Sequence, residues 1–335
     1  MTQPRRVGFS PTPPSHGAGL LDDALWAEEH GYESIWFRDG SGRTDAFTLA
    51  AAAAVRTSRA RIALGIVPVF TRPAAVFATS AATMTHLAPG RFVLGLGASS
   101  QTMIEGWYGT PFVKPRTRVK ETVYLLRKML AGEKVDWQGE TIYSRGFRLN
   151  VPVLSPVPIY LAALRPGMLE LAGEVADGVI LNLAHPRVLP RMLESIDRGA
   201  KRSGRRVEDL EVATLLNCYV TRDVERARND FAAVAANYFS AGVYNRFLAW
   251  SGFEQEAARI TEGFQEKDRA KTLGALPAEV LDELAAIGDP ARCRGLIRRY
   301  WDAGVNTCIV VSSSPLKEEH AETLRAFTPA AMAAP

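Results

Sequence analysis

The chain has 335 residues, 47% of them hydrophobic and 23% charged, with a formal net charge of +4 and a pI near 9.0. That balance suits a soluble globular protein with a sizeable core and gives no reason to expect nucleic acid as a partner. No run approaches the roughly 20 apolar residues that cross a bilayer, so no membrane association is expected.

Taken in chain order, eight short apolar runs read as strands: 6–9, 34–38, 61–67, 92–96, 158–162, 178–182, 211–220 and 307–311. Most are continuous rather than alternating, as in strands covered on both faces. Helical periodicity fills the gaps. The first helix, over 17–30, puts Leu20, Leu21, Ala24, Leu25 and Ala27 on one face. Alanine-rich helices follow over 45–57 and 73–87, then one over 116–131 carrying Val119, Val123, Leu126 and Met129, one over 166–175 opened by Pro166, and a last one over 316–327.

Eight alternations of strand and helix predict an α/β fold, a (β/α)8 TIM barrel, rather than an open sheet. Two connections exceed a plain barrel. Residues 132–157, with Gly139, Gly146, Pro152 and Pro156, predict a small excursion. Residues 221–306 hold helical patterns over 225–241, 254–267, 277–286 and 290–303. They predict a helical insertion between strands seven and eight, over the barrel mouth, within one domain spanning 1–335.

Barrel enzymes place their chemistry at the carboxyl ends of the strands. Polar and glycine residues gather there: Gly65, Ile66 and Val67 after the third strand, Gly97 and Ser99 after the fourth, and Asp39 after the second. Arg165, Pro166, Gly167 and Met168 open a helix after strand five, where free N–H groups and a guanidinium suit an anion. GLGASS at 95–100 lacks the third glycine of a dinucleotide fingerprint, and no acid follows at the required spacing. Aromatic residues crowd the expected mouth: Phe70, Trp107, Tyr108, Tyr244, Phe247, Trp250 and Phe253. Most are expected to be core of the insertion, and a few to wall a flat ligand.

The five histidines show no ligand spacing, so no metal is expected. Cys218, Cys293 and Cys308 have no CxxC arrangement. With no secretory signal, a cytoplasmic location is expected.

These residues resemble the bacterial luciferase-like monooxygenase superfamily, and most closely its branch that uses the deazaflavin coenzyme F420. The similarity lies in Gly65-Ile66-Val67 through Thr71-Arg72-Pro73, Ala81-Ala82-Thr83, and Gly90-Arg91-Phe92-Val93-Leu94-Gly95-Leu96-Gly97. It continues in Gly109-Thr110-Pro111-Phe112, Ile159-Tyr160-Leu161-Ala162-Ala163, Met168-Leu169-Glu170-Leu171-Ala172-Gly173, Ala176-Asp177-Gly178-Val179 and Ile287-Gly288-Asp289-Pro290. It covers nearly the whole chain.

The resemblance implies an F420-dependent oxidoreductase exchanging hydride with a small organic substrate. The alternatives are an FMN-dependent monooxygenase using reduced flavin and O2, and a non-catalytic flavin-binding relative. It implies a non-prolyl cis peptide at Gly65-Ile66 pressing on the cofactor ring, with Val67 completing the bulge. Asp39 would stand at the ring or substrate, and Gly97 and Ser99 along the cofactor side chain. Ala162, Ala163, Arg165, Pro166, Gly167 and Met168 would hold its phosphate. Where some relatives carry a histidine after Asp39, this chain has Gly40, and the acid past the fourth strand is missing near Ser99 and Ser100. Those departures argue against sugar-phosphate dehydrogenation and leave Glu105 as a candidate acid. A homodimer is implied as well, with 50–55 and 77–84 as candidate contact faces.

Overall fold

The structure is a computed structural model, and it describes residues 4–12, 17–39 and 44–333. Eight parallel strands form a ring: β1 (Arg6–Ser10), β2 (Ser34–Phe37), β3 (Arg61–Leu64), β4 (Phe92–Gly97), β5 (Ile159–Ala162), β6 (Gly178–Asn182), β7 (Glu211–Val220) and β8 (Thr307–Ser312). Each pairs with its neighbour in sequence, and β8 pairs with β1 to close the barrel. The expected (β/α)8 barrel is therefore present.

The outer ring follows from the apolar periodicity. Helix Ala46–Arg56 buries Ala46, Ala50, Ala53 and Ala54. The Asp45 carboxylate caps it by accepting from the Thr48 N–H at 2.8 Å, a cap worth about 1 kcal/mol. Helix Ala74–Leu87 buries Phe77, Ala81 and Met84. The faces 50–55 and 77–84 thus mostly cover the chain's own barrel, leaving Val55, and Val76 just before the second face, as exposed large apolar side chains.

Three features refine the expected elements. The run 61–67 is not one strand: β3 stops at Leu64, and a two-residue strand, Val67–Pro68, resumes the pairing with β4. Helices Gln101–Tyr108, Gly242–Trp250 and Arg269–Gly274 were not anticipated. Helix Pro290–Asp302, expected within the insertion, belongs to the outer ring, where Cys293, Leu296, Ile297 and Tyr300 join the main core.

The rest of the insertion has its own core, with Phe231, Phe239, Leu248, Ile260 and Leu281 packed together. It is joined to the barrel by backbone pairing: where β6 ends, strand Ala285–Gly288 takes its place beside residues Asn217 to Val220 of β7. Residues 132–157 include an antiparallel hairpin of Val135–Gln138 with Tyr143–Phe147.

Candidate active site at the carboxyl mouth

Strand alternation sorts the inward side chains into levels. At the amino-terminal floor, the Glu211 carboxylate accepts from Arg61, Arg6, Tyr160 and Thr307. Above it Trp36, Ala63, Val93, Tyr160, Ile180, Ala213, Leu215, Ile309 and Val311 fill the lumen. The lower barrel is thus a packed plug. Continued towards the carboxyl ends, the same alternation puts Ser10, Arg38, Gly97, Ala162, Asn182, Asn217 and Ser313 at the inward positions. This level is where a ligand can sit.

One wall of the mouth is kinked. Ala63 pairs with Val93 and Val67 with Leu96, so β3 advances four residues where β4 advances three. The extra residue is a β-bulge, and it carries a cis peptide between Gly65 and Ile66. The kink is held from both sides: the Gly65 N–H donates to the Phe37 carbonyl at 2.8 Å, and the Asp39 N–H to the Ile66 carbonyl at 3.2 Å. Neighbouring glycines make room for it. A Cβ on Gly95 would lie 1.8 Å from the Leu64 carbonyl oxygen, and a Cβ on Gly97 3.0 Å from Ile66 Cδ1 and 3.2 Å from Ala162 Cβ. Gly65, Ile66, Val67, Gly97 and Ala162 are thus brought together into a wall of small and aliphatic groups suited to a flat ring.

Asp39 stands beside this wall with both carboxylate oxygens engaged. Oδ1 accepts from the Ala46 N–H at 2.8 Å and Oδ2 from Arg72 Nη1 at 2.8 Å. Arg72 also pairs with Asp45. The arrangement fixes the start of the helix that follows β2. Gly40, noted in the sequence, lies outside the described residues.

After β4, Ser99 adopts a left-handed backbone with φ 64°, and Ser100 caps helix Gln101–Tyr108. Glu105 is on that helix but exposed. It accepts from Gln101 Nε2 at 2.9 Å and the Phe112 N–H at 3.1 Å, and those bonds, Gln101 first, lower its pKa. Glu105 is not among the inward-facing residues of the mouth. Trp107 and Tyr108 are exposed too, whereas Phe70 and Phe247 are buried.

After β5, Ala162 faces the mouth, Ala163 is buried, and Pro166 starts the helix Pro166–Val175 with Arg165 as its uncapped N-cap. Burial, and then the charge of Arg246 from the insertion, lower the Arg165 pKa. Neither arginine pairs with a carboxylate among the described residues. Two cations and a helix start converging in this way suit an anionic group.

The insertion closes the opposite side. Asn182 Nδ2 at the tip of β6 donates to the Tyr244 hydroxyl at 3.2 Å. Burial, then Tyr238, raise the Tyr244 pKa; the Asn182 bond and the charge of Arg38 act the other way. Arg38 follows β2, across the ring from β6, so Tyr244 overhangs the mouth. Ser313 Oγ donates to Asn217 Oδ1 at 2.9 Å on the same rim. Sequence reading missed Ser10, Arg38, Asn182 and Asn217 as site residues. Extending the two-residue alternation one step past Trp36, Ile180 and Leu215 would have found the last three.

Comparison with known proteins agrees with this geometry. The luciferase-like monooxygenase family matches residues 3–307. A 5,10-methylenetetrahydromethanopterin reductase from Methanolobus tindarius is 30% identical over 295 residues, covering 88% of this chain and 89% of the relative. An F420-dependent glucose-6-phosphate dehydrogenase from Nakamurella multipartita is 31% identical over 246 residues, covering 67% and 70%. The solved structure of the coenzyme F420 dependent tetrahydromethanopterin reductase from Methanopyrus kandleri superposes with a TM-score of 0.82 at 23% identity, covering 97% of this chain and 98% of the other, and so matches in fold. With its barrel, its kinked third strand and a family match over most of its length, this chain belongs to the luciferase-like monooxygenase family.

Proposed function

We propose that this protein is an F420-dependent oxidoreductase, passing a hydride between the deazaflavin and a small organic substrate at the carboxyl mouth. The observation that carries this reading is the Gly65-Ile66 kink set against Gly97 and Ala162, a narrow wall that any larger side chain would fill. The names of the relatives support it, since both sequence relatives described above are reductases or dehydrogenases and one is named for F420.

When bound, the deazaflavin supplies the hydride chemistry, and the protein supplies placement and electrostatics. In this reading Gly65, Ile66 and Val67 press on the ring face. Gly97 and Ser99 line the side chain of the cofactor. Ala162, Ala163, Arg165, Pro166, Gly167 and Met168 receive its phosphate, with Arg246 adding charge from the insertion. Asp39, tied to Arg72 and Ala46, positions the segment beside the ring instead of exchanging a proton, and no proton transfer is assigned to the exposed Glu105.

Titration of the apo-protein with each oxidised cofactor tests the reading. F420 fluorescence is expected to be quenched with micromolar affinity, and FMN fluorescence to be unaffected. Micromolar FMN binding with no F420 binding would overturn it.

The same reading makes the protein a cytoplasmic homodimer. Three free, buried cysteines fit a reducing compartment, and Val55 and Val76, on or beside the two helix faces named above, are exposed apolar groups that a partner copy can cover. Sedimentation of wild type and V55E/V76E is expected to give dimer and monomer respectively.

A further inference from the structure

The mouth holds a cation that the ring-binding wall does not use. Arg38 is half-buried at the end of β2. Among the described residues it has no ion pair and no hydrogen bond. Its neighbour Asp39 is fully committed to Arg72 and Ala46. The residues outside the description contain no Asp or Glu. Removing a guanidinium from water without a partner is unfavourable unless a ligand supplies the charge.

The surroundings are specific. The two backbone bonds that hold the kink flank Arg38 on either side, Gly65 N–H to Phe37 O and Asp39 N–H to Ile66 O. Arg38 therefore emerges beside the ring wall. Across from it are neutral hydrogen-bonding groups: the Asn182–Tyr244 pair and the Asn217–Ser313 pair. Ser10 is fully buried at the end of β1, on the inward face with Gly8, and its hydroxyl has no partner among the described residues. No carboxylate occupies an inward position of this level. The mouth is thus divided into a small apolar wall on β3 to β5 and a polar wall on β6, β7, β8, β1 and β2.

We propose that the substrate is a carbonyl compound, or the matching alcohol, carrying a carboxylate, and that Arg38 binds this carboxylate while Tyr244 donates to the reacting oxygen. The proposal rests on the F420-dependent function and specifies its substrate. Arginine suits the role because its planar fork meets a carboxylate with two parallel bonds. Burial keeps the Tyr244 hydroxyl protonated, with Tyr238 adding to the effect, so it remains a donor.

The test compares 2-oxobutanoate with 2-methyl-3-pentanone, in which an uncharged isopropyl group of the same shape replaces the carboxylate. Binding is followed by intrinsic tryptophan fluorescence, with and without F420, in wild type, R38L, R38K and Y244F. Wild type is expected to prefer the acid by at least about tenfold. R38L is expected to abolish that preference with unchanged F420 affinity and melting temperature, and R38K to restore part of it. Y244F is expected to weaken both probes. Equal binding of acid and ketone by wild type, or no binding of either, would overturn the proposal. So would an R38L variant that loses F420 itself, since Arg38 would then serve the cofactor. Failure of wild type to bind F420 would instead refute the functional reading, and the cofactor-free arm would still decide whether Arg38 selects the acid.

Discussion

Arg61 grips Glu211 with both terminal guanidinium nitrogens, at 2.8 Å and 2.7 Å, beneath the packed lumen of the barrel. Tyr160 and Thr307 donate to the same carboxylate, at 2.9 Å and 2.5 Å. Removing one partner from such a buried pair leaves an uncompensated charge and costs about 3–5 kcal/mol. E211A is therefore expected to be severely destabilised. E211Q, which keeps the shape and loses the charge, should be milder. Urea unfolding of both variants checks the order.

The same residue sets an acid limit. Burial alone would raise the Glu211 pKa. The hydrogen bonds and charge of Arg61, with Thr307 and Tyr160, more than reverse this and hold it at about 2, against an ordinary value of 4.5. A carboxyl whose folded pKa is depressed stabilises the fold fully above its unfolded pKa and loses that contribution as pH falls towards the folded one. The contribution is on the order of 3 kcal/mol. Wild type is expected to lose it between pH 4.5 and about 2, and E211Q to show a flatter profile over that window, by melting temperature against pH.

Two glycines of β4 should respond differently to one methyl group. At Gly95 the new Cβ would meet backbone, the Leu64 carbonyl oxygen at 1.8 Å, which cannot step aside. G95A is expected to cost about 3 kcal/mol or more, at the upper end for overpacking. At Gly97 the neighbours are the tips of Ile66 and Ala162 at 3.0 Å and 3.2 Å. G97A is expected to fold and to lose about tenfold in F420 affinity by pushing on the kink. Thermal melts and F420 titration separate the two outcomes.

The Asp39–Arg72 pair is largely buried, with side-chain exposures of 10% and 19%. D39N keeps an acceptor for the Ala46 N–H and loses the charge facing Arg72. A destabilisation of about 1–3 kcal/mol is expected, the range for a charged hydrogen bond. Faster proteolysis at the start of helix Ala46–Arg56 should accompany it, as read by limited digestion and mass spectrometry.

Arg165 and Arg246 should act as a unit. Each is expected to contribute about tenfold to F420 affinity, and R165A/R246A to lose more than the product of the two, because each single change also relieves the repulsion between them and the double change can relieve it only once. A double-mutant cycle on F420 binding, repeated at high salt, checks this.

Much of the architecture was readable from the chain. Runs such as 92–96 and 307–311 are continuously apolar because both faces of these strands are covered, whereas a strand with one wet face would alternate. The kink was readable as a glycine at position 65, although the apolar run hid the break in pairing that follows Leu64. Helix Gln101–Tyr108 was missed because it is short, largely exposed and interrupted by Gly106. Helix Gly242–Trp250 was noticed only as a cluster of aromatics. Arg38 escaped notice for a different reason. Asp39 drew attention as the acid at the strand end, yet its carboxylate is spent on Arg72, and the inward-facing position belongs to the residue before it. Contacts such as Asn182 with Tyr244 join residues far apart in sequence, and neither local pattern announces the other.

The strand Ala285–Gly288 replaces β6 beside the far end of β7, so the roof above the mouth is stitched into the same sheet as the barrel. A cover attached in this way is anchored at its carboxyl-terminal edge by backbone hydrogen bonds. The roof side chains, Tyr244 among them, and the ring seat opposite lie on separate stretches of the chain, so selectivity can change by exchanging the former while the latter stays untouched.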